Sequence, residues 1–503
     1  MKTLGYDTLE ENGYAGYLAP RDLPEKVLQF GEGNFLRAFV DNFFDRANEA
    51  GTFGGKIVAI TPTNSGTGLI DALNAQDGLY TVVTRGRRGG ERVDERRVVS
   101  SVSRFLSPYV PEQYAQVVDL VCSDTLEIIV SNTTEAGIAY DGSCKPTDEP
   151  PASFPAKLAV LLHKRWQAGR PGVIVLSCEL IDRNGAELLR IVRRHVADWG
   201  WEGEFAAWLD EDCTFCTTLV DTIVPGRIRD AHEIEAFEAE QGYADPCAAV
   251  REPFEMWGIQ GGEALERALP FKRGNISGVF VTPDVAPYKK RKVRILNGSH
   301  TAFAPGAHLA GLSIVRDCMH DEAVSGFMSG LLSEEVIPTL AEDLDVEDCK
   351  RFAATVRDRF DNPYIDHQLL SICLNSVAKW RARDMPTLLD YVGLAGRLPP
   401  RLTASLAFLL AFYTTGAESL GEDGLHLRRA DGEAYVGKED RSILEFFWAH
   451  AADDAPALAH EALANEALWG RDLTRVSGLE AAVAADLATI REQGAAALFE
   501  ACL

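Results

Sequence analysis

The chain has 503 residues, with 50 Lys and Arg against 75 Asp and Glu and a formal net charge of −25. An apolar fraction of 46% with 25% charged residues excludes a disordered or fibrous chain, and the acidic balance repels nucleic acid and anionic lipid wherever basic residues are not concentrated. At roughly 150 residues per domain the length predicts about two to four domains, each able to bury a core. The opening residues Met1 to Asp7 lack the charged-then-apolar plan of a signal peptide. The longest strongly apolar stretch, Leu402 to Tyr413, is interrupted by Thr403 and Ser405 and falls short of the roughly 20 residues that span a bilayer. Ten scattered cysteines suit a reducing compartment rather than a disulfide framework. The expectation is a cytoplasmic protein, with no nucleic acid or membrane partner and a monomer by default.

Residues 1–20 read as an N-terminal arm. Lys26 to Phe30 is a short apolar strand ending at Gly31, and Phe35 to Phe44 repeats bulky residues at helical spacing. Lys56 to Ile60 follows at the distance of a βαβ unit. Further strands are predicted at Leu79 to Val83, Leu126 to Val130 and Val173 to Leu176, the last two apolar enough to be buried on both faces of a parallel sheet. Phe154 to Leu162 reads as the crossover helix between them. After about residue 286 the periodic stretches are helical, as in Leu479-Val483-Leu487-Ile490, and Pro399-Pro400 marks a helix boundary. The sequence thus predicts an α/β Rossmann-type domain with a mostly parallel sheet over residues 1–286, then a mainly α-helical substrate and catalytic domain over 287–503.

Gly31-Glu32-Gly33-Asn34-Phe35-Leu36 carries two glycines of the G-x-G-x-x-G dinucleotide pattern, placed between a strand and a helix. Gly31 permits a tight turn, Gly33 lets a pyrophosphate approach the backbone, and the helix start supplies amide hydrogens. The same two glycines also suit a plain turn. The end of the second strand, Thr61-Pro62-Thr63-Asn64, has no carboxylate for a ribose, so NAD(H) against NADP(H) stays open.

Five of the six residues from Lys289 to Arg294 are cationic in an otherwise acidic chain. Such a run is usually a solvated turn. This one leads into Lys292, Asn297 and His300, whose spacing on a helix lets them project towards a common cleft. A lysine crowded by cations and partly desolvated has a lowered pKa and could exchange a proton near neutrality, as alcohol oxidation by hydride transfer requires. Cys213-Thr214-Phe215-Cys216 has no second pair to complete a zinc set, so both read as buried or incidental thiols, and no metal site is expected. No G-x-S-x-G elbow, H-E-x-x-H helix or phosphate loop is present, which lowers hydrolase, metalloprotease and NTPase readings.

Seven segments together resemble the long-chain mannitol dehydrogenase family of polyol and hexonate oxidoreductases: Leu28 to Phe39, Ser131 to Gly137, Cys178 to Gly185, Leu219 to Asp221, Lys292 to His300, Arg359 to Pro363 and Leu398 to Leu402. The resemblance implies an active site between a Rossmann-type and a helical domain, and hydride transfer without zinc. It implies Lys292 as general base, with Asn297 and His300 orienting the reacting oxygen. Asp221 and Arg359 fall near the polyol site, and Arg359, Arg294 and Lys379 are candidates for a substrate carboxylate. Gly31, Gly33, Phe35 and Arg37 fall in the cofactor loop, and Phe30, Asn34, Thr134 and Glu135 join them as cofactor-binding candidates. Two departures from the mannitol branch stand out: Leu180 replaces an Asn after Ser177-Cys178-Glu179, and Leu36 replaces a His. They turn the expectation from polyols to a hexonate or ketouronate substrate, with D-altronate and D-tagaturonate interconverted on a nicotinamide cofactor. The same chemistry on fructuronate, on fructose and mannitol or on another hexulosonate is the near alternative. A non-catalytic nucleotide-binding sensor is the distant one.

Overall fold

Strand β1, Glu25–Phe30, sends alternate side chains to opposite faces, and both faces are covered. Val27 joins one apolar cluster with Phe39, Phe43, Phe44, Trp257 and Phe271. Leu28 joins another with Leu158, Leu162, Val192 and Trp208. The same split recurs in β2, Lys56–Ile60, where Ile57 and Val58 face opposite clusters. A sheet apolar on both faces needs helices on both, which is why these strands read as near-continuous apolar runs. The coordinates are a computed structural model describing residues 1–64 and 66–503.

The remaining strands of this half, in chain order, are β3 (Tyr80–Arg88), β4 (Glu91–Val99), β5 (Val102–Leu106), β6 (Ile128–Ser131), β7 (Ile174–Ser177), β8 (Thr214–Asp221), β9 (Ala249–Arg251), β10 (Met256–Gln260) and β11 (Val279–Thr282). Eight of the eleven strands form one sheet in the order β11-β10-β8-β7-β6-β1-β2-β5. The run from β5 to β8 is parallel, and β10 joins β8 antiparallel. The order reverses at β1: the chain first builds outward through β2 and β5, then returns to place β6 on the other side. A crevice therefore opens at the carboxyl ends of β1 and β6, where Phe30 sits opposite Ser131.

The strand expected at Leu79 to Val83 forms, but as β3 of a separate three-stranded sheet, β4-β3-β9, not in the main one. The arm is packed down: a Tyr6–Glu11 helix forms there, and Leu4 and Leu9 are buried with Phe237, Tyr243 and Val250.

The chain divides into two compact units, 1–85 with 92–285 and 86–91 with 286–503. The second is built around the Pro400–Thr414 helix, which is buried on every side from Arg401 to Thr414. Gly306, on the Gly298–Leu309 helix, admits the Phe408 ring so closely that a Cβ would lie 2.5 Å from it. Leu479, Val483, Leu487 and Ile490 form the buried stripe of the Leu479–Gln493 helix that their spacing predicts. Within this mainly helical half, strands β12 (Ala417–Leu420), β13 (Leu425–Arg428) and β14 (Ala434–Gly437) make a small antiparallel sheet that the sequence reading did not place. Each is four residues long, too short for a two-residue alternation to register in the sequence.

Candidate active site

In the first unit, Gly31 leaves β1 at φ +129, a conformation L side chains rarely adopt, and a Cβ there would lie 2.9 Å from Leu36 Cδ1 and 3.2 Å from the Asn132 carbonyl oxygen. Gly33 faces open space, with no atom within 4 Å of where its Cβ would be. A small exposed residue at the carboxyl end of a central parallel strand, followed by helix, is a cradle that a pyrophosphate fits. The neighbouring candidates divide by role. Phe30 is fully buried with its ring 4.8 Å from Phe154, so it supports the turn from below. Phe35 and Asn34 are half-buried beside Gly33. Arg37 is 2% exposed and braces the turn: its guanidinium donates to the Glu32 carbonyl at 3.0 Å, to Asn34 Oδ1 at 2.7 Å and to the Cys247 carbonyl. Three hydrogen bonds within the protein make it a structural clamp rather than a loose phosphate ligand.

Across the crevice, β6 runs into Thr134 and Glu135, both exposed. Thr134 adopts φ 73, ψ 165, a region almost confined to glycine, in a β-branched residue. The segment before it is anchored by Glu179, which the sequence reading did not single out. Ser131 Oγ donates to Glu179 Oε2 at 3.1 Å, while Thr133 N–H and Oγ1 donate to Oε1 at 3.0 and 3.1 Å. Leu180, beside it, is 65% exposed. Asp221 lies at the end of β8, buried and opposite Met256.

In the second unit, Lys292 opens a π-helical segment, Lys292–Asn297, set between the Ala286–Arg291 and Gly298–Leu309 α-helices. On an α-helix residues five apart point roughly 140° away from each other. The wider π turn, with its i to i+5 hydrogen bonding, brings Lys292 and Asn297 closer to one face, and such turns favour functional sites. His300 follows one α-turn later. Its ring stacks on Phe360 at 3.9 Å and meets His367 edge-on at 5.2 Å. Burial first, then the charges of His367, Arg383, Arg359 and Lys379, hold its pKa well below the usual imidazole value. His300 is therefore neutral at pH 7, and its Nε2 is shielded without a partner among the described residues.

That list of charges defines a cationic cluster. Arg359 is 8% exposed, and Lys379 donates to the Ile372 carbonyl at 2.8 Å. Arg383, which the sequence reading missed, donates to Thr301 Oγ1 at 3.0 Å and reaches the Asn297 carbonyl at 3.5 Å. Burial lowers the pKa of both Lys379 and Arg383. Arg294 is committed elsewhere, donating to Asp390 Oδ2 at 2.6 Å and Thr339 Oγ1 at 3.1 Å, so it is a structural ion pair. Alternate residues of a helix diverge, which is why Arg294 leaves the face that Lys292 occupies. Cys213 and Cys216 are both buried, and burial pushes each thiol up to about 12.

Family models match almost the whole chain: the mannitol dehydrogenase Rossmann domain over residues 25–272 and the mannitol dehydrogenase C-terminal domain over 284–491. An altronate oxidoreductase of Yersinia enterocolitica is 41% identical over 498 residues, covering 97% of this chain and 98% of its own. One from Bacteroides thetaiotaomicron is 37% identical over 478 residues, covering 94% and 95%. Among solved structures, a substrate-free D-sorbitol dehydrogenase aligns at a TM-score of 0.80 with 22% identity over 99% of this chain and all of its own. The mannitol 2-dehydrogenase of Pseudomonas fluorescens, solved with NAD and D-mannitol, aligns at 0.64 with 24% identity over 100% and 99%. These two share the fold. With both of its domain models matched in order along one chain, this protein belongs to the mannitol dehydrogenase family.

Proposed function

We propose that the chain is a nicotinamide-dependent oxidoreductase that interconverts D-altronate and D-tagaturonate. The observation that carries the reading is the gathering of Arg359, Lys379 and Arg383 around neutral His300, in a chain of net charge −25. A hexonate or ketouronate brings a carboxylate, the group that clustered guanidinium and ammonium donors recognise with charge-assisted hydrogen bonds. Identity near 40% over nearly full length with altronate oxidoreductases supports the same substrate class.

The reading assigns the dinucleotide to Gly31, Gly33, Asn34, Phe35, Thr134 and Glu135, with Phe30 and Arg37 shaping the turn. When bound, the dihydronicotinamide supplies the hydride that reduces the ketone. Lys292 then gives its ammonium proton to the oxygen as alkoxide charge develops, and takes the proton back in the oxidative direction. Asn297 and neutral His300 hydrogen-bond that oxygen, and a neutral imidazole does so without competing as an acid. Arg359, Lys379 and Arg383 hold the carboxylate, and Asp221 is the candidate for the sugar hydroxyls. NAD(H) is the proposed cofactor, with NADP(H) the comparison to run. The Lys157 ammonium beside the end of β2 donates to the Pro62 and Ala152 carbonyls at 3.2 and 2.6 Å. A cytoplasmic monomer completes the reading.

The direct test is Lys292→Ala. Turnover should fall about 10²- to 10⁴-fold, the usual contribution of a positioned acid or base, while NADH affinity measured by fluorescence stays unchanged. Equal loss of NADH binding and turnover would contradict the assigned role.

A further inference from the structure

Glu179 is 2% exposed, yet its carboxylate is aimed at one short stretch of backbone at the carboxyl end of β6. Every donor it receives from there comes from Ser131 or Thr133: the Ser131 hydroxyl to Oε2 at 3.1 Å, and the Thr133 N–H and hydroxyl to Oε1 at 3.0 and 3.1 Å. The residue between them is tied to the same loop, since Asn132 Nδ2 donates to the Cys178 carbonyl at 2.9 Å. Glu179 is itself bolted down. Asn184 Nδ2 donates to the Glu179 carbonyl at 2.9 Å and to the Thr218 carbonyl at 3.0 Å, and its Oδ1 accepts from the Thr218 N–H at 2.9 Å. The grip ends at Thr133, and the next residue, Thr134, holds its glycine-like conformation while exposed to solvent.

A β-branched residue is strained in that region and relaxes unless its neighbours over-determine it. Thr134 has no side-chain hydrogen bond of its own capping the turn that follows. The restraint comes from the residue before it. The same stretch forms one wall of the glycine turn, because the Asn132 carbonyl oxygen is the backbone atom nearest to Gly31's missing Cβ.

We infer that Glu179 is a positioning residue for the dinucleotide: by gripping Ser131 and Thr133 it holds Thr134 and the Asn132 carbonyl in place beside the Gly31 turn. This rests on the dinucleotide reading of that turn. Reach, not charge, is what the geometry demands. A buried carboxylate is costly unless its oxygens are hydrogen-bonded. Besides its own backbone N–H, Glu179 meets two Thr133 donors on one oxygen and, on the other, the Ser131 hydroxyl, which can donate or accept. Gln at this position has the same length: its Oε1 accepts both Thr133 donors, and its Nε2 donates to Ser131 Oγ once that hydroxyl turns. Asp keeps the charge but is one methylene too short.

The experiment compares Glu179→Asp, Glu179→Gln and Thr133→Val with the wild-type chain. NADH dissociation constants are read by fluorescence, and melting temperatures are taken without cofactor. The inference predicts that Glu179→Gln binds NADH like wild type. Glu179→Asp and Thr133→Val should each weaken NADH about tenfold, the equivalent of one lost buried hydrogen bond, with melting temperatures that do not track the loss. A Glu179→Asp variant that binds NADH as tightly as wild type would overturn it. So would a Glu179→Gln variant as weak as Glu179→Asp, or binding losses that simply follow the melting temperatures. A wild-type chain that binds neither NADH nor NADPH would overturn the dinucleotide reading beneath it, which the variants alone cannot do.

Discussion

At the scale of single residues, the proposed chemistry divides between groups that handle the reacting oxygen and groups that only hold charge. Lys292, Asn297 and His300 stand out as candidates in the sequence because three polar types at fixed spacing begin within an abrupt run of cations. Arg383 was not legible. It is one of two arginines on the Ser376–Arg383 helix, and only the fold brings it to Thr301 and Asn297. It separates substrate charge from catalysis, so Arg383→Met should raise KM for a ketouronate about tenfold or more, the scale of a lost charge-assisted hydrogen bond. NADH affinity should not change. KM for an uncharged ketose should move far less, and equal effects on both substrates would remove the carboxylate from the account. Arg294 shows the reverse case. The sequence offered it as a cation near the motif, but Asp390, nearly a hundred residues later, neutralises it in an ion pair that no local pattern announces.

At the scale of elements, the glycine turn tests how far local rules extend. Gly31 and Gly33 look alike in the sequence and differ in the structure. Gly31 has φ +129 and packs against Leu36 and the Asn132 carbonyl, whereas Gly33 has φ −67 and open space around it. Gly31→Ala should therefore lower the melting temperature, with a strain of about 1–3 kcal/mol. Gly33→Ala should leave it unchanged and weaken only NADH binding, because its methyl would occupy space a pyrophosphate needs. A Gly33→Ala variant with unchanged NADH affinity would move the phosphates elsewhere. The βαβ order, the parallel strands and the helical second half were readable because buried parallel strands are continuously apolar and helices repeat at 3.6 residues. The π turn at Lys292 and the four-residue strands β12 to β14 were not, since neither has a periodicity long enough to see.

At the scale of the whole molecule, burial decides the ionisation of groups that the proposed chemistry does not use. His308 is 2% exposed against Tyr435 and Phe412, and burial pushes its pKa down to about 4. The unfolded chain takes up this proton near pH 6.5 and the folded chain does not, so stability falls as pH drops between those values. From pH 7 to pH 5 this group alone should remove about 2 kcal/mol, and His308→Phe should flatten that part of the melting-temperature profile. An unchanged profile would show His308 already free to charge. The residues proposed for the cofactor lie in one compact unit, and those proposed to handle the proton lie in the other. The most direct test of the central proposal is oxidation of NADH and NADPH by the wild-type chain with tagaturonate, fructuronate and fructose in parallel. The account predicts fast oxidation of NADH with tagaturonate and little with the other two. Faster oxidation with fructuronate or fructose, or none with tagaturonate while NADH still binds, would contradict it.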